Sequence, residues 1–355
     1  MAKTLLVRYL QIGDVLILLP LIFSLGKQYP DDEFTMLTNL KFAGLFKQMP
    51  PNIHLYPMTY RKKKIPLRGL IHLFNQYLLL LKLSFSTKYD KVAILQYGTF
   101  EDKLQYLLSI RKSKIVKIDT EEFMSKEKFK SAFCLNTPSL FDLFVQTLSK
   151  LDYTGLKNEF DLSFYFQNNR RNILLEKCHI KKNNRLIGIA PFSKKKAKIY
   201  PLNKMEEIIQ YYHQKDNIEL LILGGGSDEK FQAERWKKKY PKIVSEIGAL
   251  SFDEEITLIS TCSVVLSMDS ANMHLASFVG VPVISIWGTT HPKLGYYPVN
   301  QGLNNAVQKE LTCRPCSFWG ENPCTNTNKY ECMDIEPEII IEKINTILNC
   351  SDNEK

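Results

Sequence analysis

Residues 263–288, SVVLSMDSANMHLASFVGVPVISIWG, constrain the fold of this chain more than any other stretch. The apolar, β-branched run Val264, Val265, Leu266 reads as a buried strand that stops at the polar corner Met268, Asp269, Ser270. Met273, Leu275, Ala276 and Val279 follow at helical spacing, Gly280 stands where a helix end favours a left-handed residue, and 281–286 reads as the next buried strand. This is a βαβ unit, and such units build open parallel sheets. In those sheets ligands sit beyond the carboxyl ends of the strands, where a helix N-terminus offers unpaired N–H groups to an anion. The corner from Asp269 to His274 is then an anion pocket, or else Asp269 or Ser270 only caps the helix while His274 packs on its inner face.

The length of 355 residues is comfortable for two domains, each able to bury its own core. A hydrophobic content of 45% and a charged content of 24% belong to an ordinary globular protein and exclude a disordered or fibrous one. The net charge of +10 points to an anionic partner. Its lysine triplets at 62–64, 194–196 and 237–239 are short and scattered, and no nucleic-acid-binding module surrounds them, so nucleic acid is not the expected partner. The apolar run 5–25 is interrupted by Arg8, Gln11, Asp14 and Pro20, which argues against a membrane span or signal peptide and for a cytoplasmic protein.

Along the chain, 4–9 reads as a first strand and 15–28 as the helix after it, with Gln11, Ile12, Gly13 and Asp14 in the turn. Asp14 is an N-cap on one reading. On the other it is a general base, a carboxylate beside Ile12, Val15 and Leu16 whose partial desolvation raises its basicity. Further strands are expected at 33–37, 91–96 and 114–118. The apolar segment 70–85 is a core helix, or a helix whose outer face meets the inner leaflet with Lys62, Lys63, Lys64 and Arg68 nearby for anionic lipid. Composition turns Asn-rich and basic over 161–171, read as a linker, giving domains of 1–165 and 166–355.

The second half opens with a strand at 185–190 and the loop PFSKKKAKIYP at 191–201, whose four lysines suit phosphate binding or form a solvated cluster. A helix at 203–214 returns to a strand at 219–223 and the turn Gly224, Gly225, Gly226, which is not a dinucleotide fingerprint. The acidic pair Asp228 and Glu229 after it suits ribose hydroxyls. The segment 247–252 leads into a further helix, and 336–349 is the last one. Cys313, Cys316, Cys324 and Cys332 are spaced C-x2-C-x7-C-x7-C. Four thiols so placed could close a structural zinc site, but the spacing after the first pair is irregular, and reduced thiols at the mouth of a cleft are the preferred reading.

With these motifs in order, the chain resembles glycosyltransferase family 9, the ADP-heptose:lipopolysaccharide heptosyltransferases, over residues 4 to about 345. DSANMH at 269–274 is similar to the family's Asp-Ser/Thr-Gly-x-x-His signature, with Ala271 in place of the usual Gly. The resemblance implies an α/β fold of two facing Rossmann-like domains (GT-B type) with the active site in the interdomain cleft. It makes the N-terminal domain acceptor-binding and the C-terminal domain nucleotide-sugar-binding. By position it implies that Asp14 is the catalytic base, with Gly13, Arg61, Lys62, Lys63 and Lys64 on the acceptor side. Ser193, Lys198, Asp269, Ser270, Ala271 and His274 fall at donor-phosphate positions, Glu229 at the ribose, and Leu250 and Ser251 at the base.

The function expected is inverting, metal-independent transfer of heptose or a related sugar from an ADP-sugar to the phosphorylated core of lipopolysaccharide, on or near the inner face of the cytoplasmic membrane. No cofactor is required, and no Asp-x-Asp occurs in the sequence to hold a cation on a diphosphate. A transferase of the same fold using another nucleotide sugar, which Ala271 would favour, is one alternative. A non-catalytic nucleotide-binding or lipid-surface protein is the other.

Overall fold

The computed structural model describes residues 1–59, 78, 81, 87–96, 99–119 and 138–353. The chain divides into two compact units, one of Met1–Glu122 and Leu140–Asp161 and one containing Leu162–Lys355. Each is an α/β unit around a parallel sheet, in keeping with the βαβ pattern of the sequence.

The first unit runs β1 (Lys3–Val7), α1 (Ile12–Gln28), β2 (Glu33–Asn39), β3 (Ile53–Met58), β4 (Lys91–Ile94), α2 (Thr99–Ser109), β5 (Lys114–Lys117) and α3 (Leu140–Ser149). Its strands lie in the order β3-β2-β1-β4-β5 and pair in parallel. Both faces of a parallel sheet are covered, so β1 reads as an unbroken apolar run. Leu5 and Val7 join Leu37, Val92, Ile94 and Leu104 in one cluster. α1 is apolar on nearly every side because it is buried on nearly every side, Val15, Leu18, Leu19, Leu21 and Ile22 being wholly inaccessible.

Two local expectations change. The strand expected over 4–9 ends at Val7, and the helix begins at Ile12 rather than at 15. Gln11 makes the turn at φ 53 and takes the N-cap position, which brings Asp14 inside the first helical turn. The stretch 161–171, expected as a linker, carries α4 (Ser163–Phe166) and the start of α5 (Asn168–Lys177). Its aromatic residues decide this. Tyr165 is buried, Arg170 lies 3.9 Å over the Phe164 ring, and Arg171 lies 4.5 Å over Phe166. The expected helix at 70–85 falls, except for residues 78 and 81, outside the described residues.

The second unit continues β6 (Arg185–Ala190), α6 (Leu202–His213), β7 (Ile218–Ile222), α7 (Ser227–Lys239), β8 (Ile243–Val244) and α8 (Phe252–Ile259). It closes with β9 (Val264–Met268), α9 (Ala271–Phe278), β10 (Val283–Trp287), β11 (Ala306–Gln308) and α10 (Pro337–Asn353). The sheet order is β11-β10-β9-β6-β7-β8, again parallel. Gly280 ends α9 in the left-handed region at φ +73, the conformation expected for it. α6 and α10 pack on one face of this sheet through Met205, Ile208, Ile209, Ile340 and Ile344.

Counted from its own first strand, each sheet has the Rossmann order, in which consecutive strands run one way and then restart on the other side of strand one. The direction reverses between β1 and β4 in the first sheet and between β6 and β9 in the second. Crevices form beyond the carboxyl ends of the strands at these two points, and ligand sites belong there.

Candidate functional site

The loop after β6 is anchored at three points. Phe192 stacks on Trp236 with centroids 6.1 Å apart, Ala197 is buried, and the Tyr200 hydroxyl donates to the Ile335 carbonyl at 2.6 Å. Between the anchors Lys194, Lys195 and Lys196 are exposed, whereas the Lys198 side chain is 12% exposed and turns inward. Its Nζ stands 2.6 Å from Asp269 Oδ2, at the end of β9 across the switch point. Ser193 Oγ donates to the Asp269 carbonyl at 3.4 Å. The four-lysine loop therefore resolves into one inward-turned, carboxylate-paired lysine and three solvated ones.

Asp269 does not cap α9. Its carboxylate is taken up by Lys198 and by the Thr290 hydroxyl, which donates to Oδ2 at 2.7 Å. Ser270 holds the N-cap position without a side-chain cap hydrogen bond, its Oγ lying 3.3 Å from Ser267 Oγ. Lys198 thus pairs with the residue that precedes the N-cap of α9, and unpaired N–H groups at a helix start favour an anion. His274, one turn further along, is 7% exposed. Burial pushes its imidazole down to about 4, Asp269 pulling it up and Lys198 down, so it is neutral near pH 7. A neutral imidazole can donate one hydrogen bond and accept another without adding charge.

Three residues that sequence reasoning missed complete this cluster. Thr290 is one. Arg314, 4% exposed, is another: its guanidinium donates to the carbonyls of Gly288 at 2.5 Å, Thr290 at 2.9 Å and Trp287 at 3.2 Å, tying down the loop that carries Thr290. Burial lowers its pKa, but a guanidinium remains charged. The third is Gly320, at φ +75, against which the Lys198 stem packs so closely that a Cβ would stand 2.6 Å from Lys198 Cε. A buried arginine between two cysteines and a lone glycine in a loop have no local periodicity to betray them.

The other residues expected on the donor side lie toward β7 and β8 of the same sheet. Glu229 Oε2 accepts from the Gly225 and Gly226 N–H groups at 2.7 and 3.3 Å, so this carboxylate oxygen closes its own helix start. Ser251 is the N-cap of α8 in a capping box with Glu254, and Leu250 precedes it, half-buried. The structure thus brings Ser193, Lys198, Asp269, Ser270 and His274 together and sets Glu229, Leu250 and Ser251 apart on neighbouring loops. Cys313, Cys316, Cys324 and Cys332 carry free thiols. Among the described residues no group of three or more His, Cys, Asp or Glu is arranged to hold a metal ion. Burial raises the Cys332 thiol to about 11, which keeps it protonated.

In the first unit, Asp14 lies at the β1/β4 switch point. It is 4% exposed and forms an ion pair with Arg8, itself 8% exposed. Arg8 Nη1 also donates to the Leu95 carbonyl at 2.6 Å. Gln96 Oε1 accepts from the Tyr9 and Leu10 N–H groups at 2.8 and 3.1 Å, and its amide donates to buried Glu101. The turn carrying Gly13 and Asp14 is thereby fixed from β4. Sequence reading foresaw the desolvation of Asp14 but not its cation. Arg61, Lys62, Lys63 and Lys64 lie outside the described residues.

The chain matches the description glycosyltransferase family 9 (heptosyltransferase) over residues 129–323, more than half of its length. It is 24% identical over 285 residues to lipopolysaccharide heptosyltransferase 3 of Escherichia coli, covering 78% of this chain and 81% of that one. It is 23% identical over 353 residues to lipooligosaccharide heptosyltransferase 2 of Campylobacter jejuni, covering 96% of each. Among solved structures, E. coli heptosyltransferase WaaC with ADP shares the fold at a TM-score of 0.67 and 16% identity, over 97% of this chain and 99% of that one. Among the described residues no helix is long and apolar enough to cross a membrane.

Proposed function

Because the chain belongs to glycosyltransferase family 9, and is a glycosyltransferase, we propose that it transfers a heptose or closely related sugar from an ADP-sugar to the phosphorylated core of a lipopolysaccharide. The observation that carries this reading is the juxtaposition of the inward-turned Lys198 with Asp269 and the N-terminus of α9. One ammonium and a set of helix N–H groups suit a diphosphate, the common element of nucleotide-sugar donors. The heptosyltransferase names of the relatives and the ADP bound by the E. coli enzyme support the heptose and the nucleotide.

In this reading the second unit, with the boundary set near residue 165, holds the donor and the first receives the acceptor. Lys198, the Ser193 hydroxyl and the N–H groups of α9 take the diphosphate, with His274 beneath it. Glu229 reaches the ribose once its helix-start bonds rearrange, and the backbone at Leu250 and Ser251 meets the base. Asp14 removes the proton from the acceptor hydroxyl as that oxygen bonds to the anomeric carbon. The bond from that carbon to the diphosphate oxygen breaks in the same step, inverting configuration. The negative charge that grows on the departing ADP falls on Lys198 and the helix dipole, which perform the task a divalent cation performs elsewhere. Gly13, Arg61, Lys62, Lys63 and Lys64 face the acceptor and its phosphates, and the basic chain works at the inner face of the cytoplasmic membrane.

Calorimetric titration with ADP, UDP, GDP and CDP, with and without EDTA, tests the donor assignment. Selective binding of ADP, indifferent to EDTA, is the expected result, followed by heptose transfer from ADP-heptose. Preference for another nucleotide would retain the transferase and discard ADP-heptose, the outcome that a methyl group at Ala271 in place of glycine would account for. Absence of binding by all four would overturn the donor pocket.

A further inference from the structure

Tyr296, Phe318 and Trp319 form a half-buried aromatic trio. Tyr296 lies 5.5 Å from Phe318 and 4.8 Å from Trp319 by ring centroids, and Phe318 and Trp319 lie 4.8 Å apart at 76°. Two of these contacts are edge-to-face and the Tyr296–Trp319 pair is tilted at 53°, so that the rings brace one another while Trp319 keeps part of its surface exposed. The segment that carries two of them is pinned at both ends to the anion pocket. At one end the Cys316 and Ser317 N–H groups donate to the Thr289 carbonyl at 3.1 Å each, next to the threonine that holds Asp269. At the other, Gly320 packs on the stem of Lys198. Phe318 and Trp319 are the two residues between these pins.

The strand order supplies a direction. Reading across the carboxyl edge of the sheet, Leu250 and Ser251 follow β8 and Glu229 follows β7. Lys198 and Asp269 follow β6 and β9, and the aromatic trio follows β10 and β11. A nucleotide sugar is linear in the same sense: base, ribose, diphosphate, sugar. With the diphosphate on Lys198 and the nucleoside toward β7 and β8, its glycosyl group extends toward β10. We infer that Trp319, backed by Phe318 and Tyr296, forms the platform on which the transferred sugar of the donor stacks its C–H face. Apolar ring C–H bonds against an aromatic face, with polar hydroxyls free at the edge, are the complement of such a surface. This assignment rests on the donor reading above and adds the residues that recognise the sugar.

The test uses the tryptophans themselves. The chain has three, and Trp236 and Trp287 are each 1% exposed, which leaves Trp319 as the one a ligand can touch. Emission and calorimetry are recorded for the wild-type protein, Trp319→Ala and Trp319→Phe, each titrated with ADP and with ADP-heptose. The expected result is quenching by ADP-heptose well beyond that by ADP in the wild type. In Trp319→Ala the sugar nucleotide should lose about tenfold in affinity with ADP unchanged, and Trp319→Phe should recover most of the loss. If wild type and Trp319→Ala bind ADP and ADP-heptose alike, the platform is overturned while the donor site stands. Equal losses of ADP and ADP-heptose in Trp319→Ala would also overturn it, since the residue would then only support Lys198. Failure of the wild type to bind ADP at all would remove the donor reading and the platform with it.

Discussion

Lys198 Nζ and Asp269 Oδ2, 2.6 Å apart, join the loop after β6 to the end of β9 across the point where the strand order reverses. Thr290 donates to the same oxygen from the loop after β10. Three loops thereby converge on one carboxylate, and the lysine is held in place before any anion arrives. Preorganised charge of this kind costs little rearrangement when a negative leaving group forms.

Lys198→Ala should weaken ADP binding by about 10- to 100-fold, the loss of one charge-assisted contact of roughly 1.5–3 kcal/mol. It should also destabilise the empty protein by up to about 3 kcal/mol, because the Asp269 carboxylate, with a side chain 11% exposed, would lose its cation. Calorimetry and thermal unfolding measure the two effects separately. Unchanged ADP affinity would remove Lys198 from the donor site.

Asp14→Asn should lower turnover by about 10²- to 10⁴-fold, the usual contribution of a positioned base, while ADP affinity stays at the wild-type value. The amide preserves the shape of the carboxylate and an acceptor for Arg8, though not the ion pair. Single-turnover rates with ADP-heptose give the readout. Wild-type turnover in this variant would disprove the base.

Acid should destabilise the protein through two histidines. Burial pushes His274 and His291 each down to about 4 from an ordinary value of 6.5. The unfolded chain therefore binds protons between pH 6.5 and 4 that the folded chain refuses. The stabilising contribution is complete above pH 6.5 and is lost as pH falls toward 4, by up to about 3 kcal/mol per histidine. Urea midpoints measured from pH 7.5 to 4.5 should fall, and His274→Gln should flatten part of that slope. A profile identical to wild type would show that His274 does not contribute.

Gly320→Ala should act on Lys198 from outside the motif. The backbone at φ +75 disfavours a side chain by roughly 1 kcal/mol, and the added methyl would press on the lysine stem at 2.6 Å. Weaker ADP binding together with a loss of folding stability of about 1 kcal/mol is the expected outcome. ADP affinity equal to wild type would mean that Lys198 has slack the packing does not show.

The chain by itself determined the architecture. Apolar runs such as 185–190 and 264–266, each ending at a polar corner before a helical pattern, are legible because strand and helix periodicities are local properties. The same residues located Asp14, Lys198 and Asp269 at strand ends, where parallel sheets bind ligands. What the tertiary structure alone decided was partnership. Apart from the family resemblance, nothing local distinguishes Lys198 from Lys194, Lys195 and Lys196; the anchors Phe192, Ala197 and Tyr200 turn it inward. The Arg8 pairing of Asp14, the Thr290 bond to Asp269 and the brace of Arg314 join residues that only the strand order and the closing of turns make neighbours. Charge, hydrogen bonding and desolvation depend on distance in space, so these roles could be fixed only once the two sheets had folded.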